Sequence, residues 1–457
     1  MVQNINMSKK KKILFLSDDL RMTSGIATMT KEIVLGTVHK YDWVQLGSGI
    51  NHPEVGMTVD LNDDVRKRTG VEDADVKIIP NNGYGDIFTL RRLIKEHKPD
   101  AVLHFTDPHY WNWLYDSEHE IRQQLPILYY HIWDNLPDPK YNRNYYESCD
   151  WLGCISKQTY GIVHRVGKST ELPSYKPLED WQISYVPHGI NPDVFKPIDT
   201  ISEDVKKFVH GDKEYDFVVF YNNRNIRRKQ PSDVIYSFKL FCDMLPKEKA
   251  DKCLLLMKTQ PIDPNGTDLH AVVKTLCPDY DVKMLETKIE QESLNEFYNI
   301  SDCTINIANN EGFGLATAES IMAGTPIIVN VTGGLQDQCG FDYTADDYIN
   351  IGTLHKTKDI KHGEWAIPIW PAAINLNGSV ETPYIFDDRV NDDDVAKGLL
   401  ELYNMGKEGR KVNGQKGREW AIENLSSKYM CDSMIEGIER AIENYKPRER
   451  FNLYKAI

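Results

Sequence analysis

One stretch constrains the fold more than any other part of the chain: TINIANNEGFGLATAESIMAGTPIIVNVTGG, from Thr304 to Gly334. Thr304 to Ile307 alternates polar or β-branched with apolar residues as a short strand does, and Gly312 and Gly314 then break the pattern. Leu315 to Met322 is rich in helix formers, Gly324 stands where a helix C-terminus favours glycine, Pro326 blocks continuation, and Ile327 to Val329 is a second buried strand. The unit is strand, loop, helix, strand. In such a unit the loop lies at the C-terminal edge of a parallel sheet, where ligands bind, and the free N–H groups of the helix start favour an anion such as phosphate. Glu311 and Glu319 lie eight residues apart, or about two helical turns. One carboxylate can reach a ligand at the helix mouth and the other a group beside the helix.

An isolated glutamate is most often a solvated surface residue. Here EGFGLATAE, followed by AGTPIIV and then GG, resembles the signature of the GT-B retaining glycosyltransferases of family 4, also called group 1, whose two glutamates are separated by seven residues. The resemblance implies an α/β protein: two Rossmann-like, doubly wound parallel-sheet domains facing a cleft, with the C-terminal helix returning to the N-terminal domain. It also implies that Glu319 holds the ribose hydroxyls of a nucleotide-sugar donor. Glu311 would hold the sugar hydroxyls and the charge that develops on the sugar, and the backbone of Gly312, Phe313, Gly314 and Leu315 would face sugar and phosphate.

At 457 residues the chain is long enough for two or three domains, and 41% hydrophobic with 27% charged residues is an ordinary soluble composition. No apolar run reaches membrane-spanning length and no leader pattern opens the chain, so the expected compartment is the cytoplasm. The eight cysteines include no Cys-x-x-Cys pair and suggest neither a metal cage nor a disulfide framework. A net charge of -14 repels polyanions at long range. Lys9 to Lys12 reads as the end of a solubilising, flexible tail over residues 1–12.

Ile13 to Leu16 reads as the first strand, and Ser24 and Gly25 precede a helical pattern of Ile26, Met29, Ile33 and Val34. Trp43 to Leu46, Ala101 to Phe105 and Ile127 to His131 are further strands, with a helix at Ile87 to His97, so the first domain alternates β and α. The loops FTDPHYWNWLY and YYHIWDNLPDPKYNRNYY follow two of these strands and are dense in rings that can stack on a sugar face or a base. His109, Trp111 and Trp133 are therefore acceptor candidates. By resemblance, Gly25 approaches the donor phosphate and His131 contacts the transferring sugar or its acceptor. HGINPDVFKP, His188 to Pro197, resembles the segment that leaves the N-terminal domain. The boundary is placed near 197, giving domains at 13–197 and 198–426 and a returning helix at 427–457.

The second domain opens with the strand Phe217 to Tyr221, and Arg224, Arg227, Arg228 and Lys229 crowd the loop before a helix near Pro231. Basic residues at a strand end invite an anion. Arg224 and Lys229 are five apart, as in the arginine and lysine pair that grips the donor diphosphate in the resembled family, whose flanking glycines are replaced here by Asn223 and Gln230. Leu254 to Met257 and Lys283 to Leu285 are further strands, Leu294 to Ile300 a helix, and the loop Glu286 to Ile289 would border the nucleobase by resemblance. An ordered insertion is expected at about 343–394. Helices are expected at Val395 to Tyr403, Gly409 to Leu425 and Ser427 to Tyr445, the last with Met430, Met434, Ile438 and Ile442 on one stripe.

Asp73-x-Asp75 sits in a polar stretch and reads as surface. The expectation is a metal-independent, retaining glycosyltransferase with no cofactor and a donor of UDP or GDP type. Glu311, Arg224, Lys229 and His131 would form its catalytic set, with no metal ligands. A glycan, a lipid, a small polyol or modified DNA fits as the acceptor. A viral-type DNA base glycosyltransferase, a sugar-nucleotide epimerase of the same fold and a non-catalytic sugar-nucleotide sensor fit the same features.

Overall fold

Two parallel sheets, one from each half of the chain, make up the molecule. The computed structural model describes residues 9–171, 176–343, 347 and 360–450. The first sheet contains β1 (Lys11–Asp18), β2 (Tyr41–Ser48), β3 (Val59–Asp60), β4 (Val76–Pro80), β5 (Ala101–Phe105), β6 (Ile127–His131), β7 (Trp151–Cys154) and β8 (Ile183–Tyr185). Their order is β3-β4-β2-β1-β5-β6-β7-β8, with β3 antiparallel to β4. β1 starts at Lys11, two residues before the expected strand, and Lys10 pairs with Asp73 at 2.7 Å. Residues 1–8 of the expected tail lie outside the described residues.

The second sheet contains β9 (Phe217–Asn222), β10 (Cys253–Lys258), β11 (Asp281–Leu285), β12 (Cys303–Asn306), β13 (Ile327–Asn330) and β14 (Ala366–Ile369), ordered β11-β10-β9-β12-β13-β14. Helices cover both faces, so Phe217 to Tyr221 and Leu254 to Met257 are buried without alternation. The strand order reverses between β9 and β12, and in a doubly wound sheet that reversal opens a crevice at the carboxyl ends of the two strands.

Part of the expected insertion belongs to this sheet. Ala366–Ile369 pairs parallel with β13 as its edge strand, where Pro368 is tolerated. Residues 344–346 and 348–359 of that insertion lie outside the described residues. Beyond the edge strand, β15 (Ala373–Asn377) and β16 (Ile385–Arg389) form an antiparallel hairpin. It reaches the first half of the chain: Asn135 Nδ2 donates to the Phe386 carbonyl at 3.1 Å, and the Tyr141 hydroxyl to the Tyr384 carbonyl at 3.1 Å.

The C-terminal helices run Asp392–Asn404, Gly406–Asn424 and Ser427–Asn444. The last returns to the first sheet, as its apolar stripe requires: Met430, Met434 and Ile438 are fully buried. Ile190 N donates to the Leu425 carbonyl at 2.8 Å, Ser427 N to the Ile190 carbonyl at 2.9 Å, and the Tyr41 hydroxyl to Glu439 at 2.9 Å. Close approach depends on glycine. A Cβ on Gly437 would lie 2.1 Å from the Trp151 ring, and one on Gly36 would lie 2.3 Å from Cys431 Sγ. Gly437→Ala is expected to destabilise the protein by about 1 to 3 kcal/mol, the usual cost of overpacking. Urea unfolding measures it, and an unchanged midpoint would contradict the packing described.

Candidate functional site

A cleft of about 1390 Å³ lies between the two sheets, lined on one side by residues that follow β1, β5 and β6 and on the other by the end of β10 and residues that follow β9, β11 and β12. Its floor is the strand reversal. After β12, Glu311 to Gly314 turns into the helix Leu315–Met322, with Gly314 as its cap at φ +92°, a backbone conformation suited to glycine. A Cβ on Gly314 would also sit 2.6 Å from Leu335. The glycine pair that closes the motif seats this loop: Gly334 N donates to the Glu311 carbonyl at 2.8 Å, and a Cβ on Gly333 would lie 1.9 Å from that oxygen. The first N–H groups of the helix, at Leu315 and Ala316, have no acceptor within the helix, and both residues line the cleft.

After β9 the chain makes a short 3₁₀ turn, Arg227–Lys229, before the helix Pro231–Asp243. The turn points Lys229 inward, where its Nζ pairs with Glu311 Oε2. Both side chains are about nine-tenths buried, at 11% exposure each. Burial pushes the Glu311 carboxyl upward, but Lys229 and Arg228 outweigh it and hold it below the usual carboxylate range. Burial lowers Lys229, offset only in part by Glu311. Arg228 lines the cleft as well, donating to the Asn310 carbonyl at 2.7 Å and meeting Asp134 of the opposite wall at 3.4 Å.

Arg224 does not join them. It is exposed and bound to Asp263 at 2.9 Å, and it is absent from the cleft lining. The expected pairing of Arg224 with Lys229 is therefore corrected: Arg228 and Lys229 line the cleft together, while Arg224, which precedes the turn, is drawn away to Asp263. Gln230, standing where the resembled family has glycine, takes a left-handed φ of +52°.

His131 is the second correction. It ends β6 fully buried, bonded through Nε2 to the Tyr146 hydroxyl at 3.0 Å, and burial lowers it to about 3. Side chains alternate along a strand, so Tyr130 lies on the opposite face of the sheet from His131; it too is fully buried and outside the cleft lining, but it reaches a residue that lines it. Its hydroxyl meets His188 Nδ1 at 2.7 Å and donates to the Val186 carbonyl at 3.0 Å. Since that hydroxyl has one proton, His188 satisfies both contacts as the Nδ1–H tautomer, which leaves Nε2 as an acceptor. His188 lines the cleft, packs on Phe313 with ring centroids 5.0 Å apart, and is held neutral by burial, which lowers it to about 3. It lies in the HGINPDVFKP segment that the sequence marks only as an interdomain exit.

Gly25 and Trp133 do line the cleft, Gly25 lying so near the second wall that a Cβ would meet Leu315 at 3.3 Å. Trp111 is fully buried in the core, and His109 is tied to Asp107 at 2.7 Å, so of that pair it is Asp107 that faces the cleft. Lys288 and Ile289 of the expected base-bordering loop also line it. Asp73 and Asp75 lie elsewhere, paired with Lys10 and Lys77.

Residues 202–362 match the family model described as glycosyl transferases group 1. The chain carries a group 1 glycosyltransferase domain. No curated protein matches the sequence. Among solved structures it resembles Anabaena HepE in complex with UDP and glucose (12% identity, 94% of this chain and 99% of that one, TM-score 0.63). It also resembles a Rickettsia africae glycosyltransferase (16%, 95% and 100%, TM-score 0.65) and the Thermosynechococcus elongatus sucrose-phosphate synthase (14%, 95% and 100%, TM-score 0.65). The matched segment thus lies within a chain that shares the GT-B fold of these structures.

Glu319, on the domain's central helix, accepts from the Tyr298 hydroxyl at 2.7 Å, and burial raises its carboxyl to about 7. A carboxyl raised on folding binds its proton more tightly in the folded state, so its contribution to stability falls as pH rises from about 4.5 to about 7. Glu319→Gln lacks that dependence. Relative to wild type, its urea-unfolding stability is expected to rise by about 1 to 3 kcal/mol across the window; a pH-independent difference would contradict the assignment.

Proposed function

We propose that this glycosyltransferase moves a sugar from a nucleoside-diphosphate sugar to an acceptor hydroxyl with retention of anomeric configuration, using fixed protein charge rather than a metal at the leaving group. One observation carries the reading: Arg228, Lys229 and the start of the helix Leu315–Met322 converge on the strand reversal, opposite His188 and Gly25. Positive charge and free N–H groups there favour a diphosphate, above all the charge that builds on it as the glycosidic bond breaks. That HepE is complexed with UDP and glucose supports a uridine nucleotide as donor.

In this reading the bond between the anomeric carbon and the diphosphate oxygen breaks, and the electron pair leaves with the nucleoside diphosphate. Arg228 and Lys229 face that oxygen. The acceptor oxygen adds to the anomeric carbon from the same face, and its proton passes to the departing phosphate. Glu311, kept ionised by its cations, faces the positive charge on the sugar ring, and His188 Nε2 accepts from a sugar hydroxyl. Glu319 holds the ribose. Trp133 and Asp107 lie on the side from which a hydroxyl acceptor, such as a glycan or small polyol, would approach.

A charge-assisted contact contributes roughly 1.5 to 3 kcal/mol. Arg228→Ala is accordingly expected to lower kcat/KM for a UDP-sugar by about ten- to a hundredfold, while Arg224→Ala stays within about twofold. Lys229→Ala and Glu311→Ala are expected to abolish transfer or donor hydrolysis. Steady-state kinetics and the anomer of the product by NMR check this; loss of activity in the Arg224 variant with full activity in the Arg228 variant would overturn the donor site, and an inverted product would overturn retention.

A further inference from the structure

Glu319 is anchored by the side chain of Tyr298, which is held in turn by that of Asn222. On the helix Gln291–Ile300, the fully buried Tyr298 donates its hydroxyl proton to Glu319 Oε2 at 2.7 Å. That hydroxyl accepts in turn from Asn222 Nδ2, at the end of β9, at 2.9 Å. An amide N–H₂ only donates, so Asn222 leaves the tyrosine proton one destination, the carboxylate. Among the described residues Oε1 of Glu319 accepts no hydrogen bond, and Glu319 lines the cleft. Lys258 ends β10, also lining the cleft and partly buried, with no hydrogen bond or ion pair among the described residues; its charge acts on Glu319.

We propose that Tyr298 is a positioning residue of the donor site: directed by Asn222, it fixes Glu319 so that the free oxygen meets a vicinal diol in the cleft that Lys258 also lines. This rests on the donor reading above. Two adjacent hydroxyls on a ribose are paired donors, matched by a carboxylate whose other oxygen is already anchored. A protonated carboxyl would offer one acceptor fewer.

Burial raises the Glu319 carboxyl, and Tyr298 and Lys258 oppose that rise. The other charged groups nearby are committed elsewhere. Arg418, on the packed helix Gly406–Asn424, donates to the carbonyls of Phe195, Met322 and Pro192. Glu296, on the helix of Tyr298, accepts from Ser202 N at 2.6 Å, and Asp337 of the helix Gly333–Gln338 accepts from Lys157 N at 2.8 Å. Glu292 lines the cleft at its mouth.

Calorimetric titration of the full chain with UDP and GDP, and with their 2′,3′-dideoxy counterparts, from about pH 6 to about pH 8 tests this. Wild type is expected to prefer the ribose form of the nucleotide it binds by about tenfold or more. In Tyr298→Phe that preference shrinks several-fold and its pH midpoint moves up, while affinity for the dideoxy form stays within about twofold. Lys258→Met, a change at the cleft surface, moves the midpoint the same way, and Lys258→Arg restores it. Full ribose preference with an unmoved midpoint in both Tyr298→Phe and Lys258→Met overturns the inference and leaves the donor reading standing. A wild type that binds neither nucleotide, or does not distinguish ribose from dideoxyribose, overturns the donor reading and this inference with it.

Discussion

The buried ion pair between Lys229 and Glu311 is the contact on which the cleft depends. It joins the turn after β9 to the loop after β12, the two strands between which the sheet order reverses. Taking either charge out of water alone would be costly, and removing one partner of such a pair commonly costs about 3 to 5 kcal/mol. The pair therefore holds the cationic turn and the start of the helix Leu315–Met322 in one register. Asn306 adds a 3.4 Å contact to the same carboxylate oxygen, and the Gly333–Gly334 pair leaves room for the loop to lie flat. Charge, backbone donors and space are set by one small group of residues.

The first half of the chain completes the site from the opposite wall. Its wall offers a neutral imidazole at His188, a ring at Trp133 and a carboxylate at Asp134, which meets Arg228 at 3.4 Å. Contacts far from the cleft keep that wall in place. The helix Ser427–Asn444 lies on the first sheet with buried methionines and glycine approaches, and Asp337 accepts from the first N–H of the helix Lys157–Gly167 at 2.8 Å. The β15–β16 hairpin adds backbone contacts on the opposite flank.

Much of the architecture was legible in the sequence because parallel strands buried on both faces read as continuous apolar runs, and glycines mark the strand-to-helix turns. The Thr304 to Gly334 stretch falls into strand, loop, helix and strand as expected, and the stripe of Met430, Met434 and Ile438 is buried on the first sheet. The site was less legible where one residue of phase decides the outcome. In β6 the alternation puts Tyr130 and His131 on opposite faces, and only Tyr130 reaches a cleft residue, His188, while no composition signal separates the two. In the basic loop Asp263, distant in sequence, holds Arg224 away and leaves Arg228 at the cleft. Edge strand β14 was hidden in a segment that departs from the compact family pattern, since a proline within AIPI argues against a central strand but not an edge one. His188, Asp134 and Lys258 come together only through folding.

The most direct measurement is a crystal structure of the chain soaked or grown with UDP. The diphosphate should lie between the side chains of Arg228 and Lys229 and the N–H groups of Leu315 and Ala316, with the ribose against Glu319. A diphosphate bound at Arg224 and Asp263, or anywhere outside the strand reversal, would contradict the account at its centre.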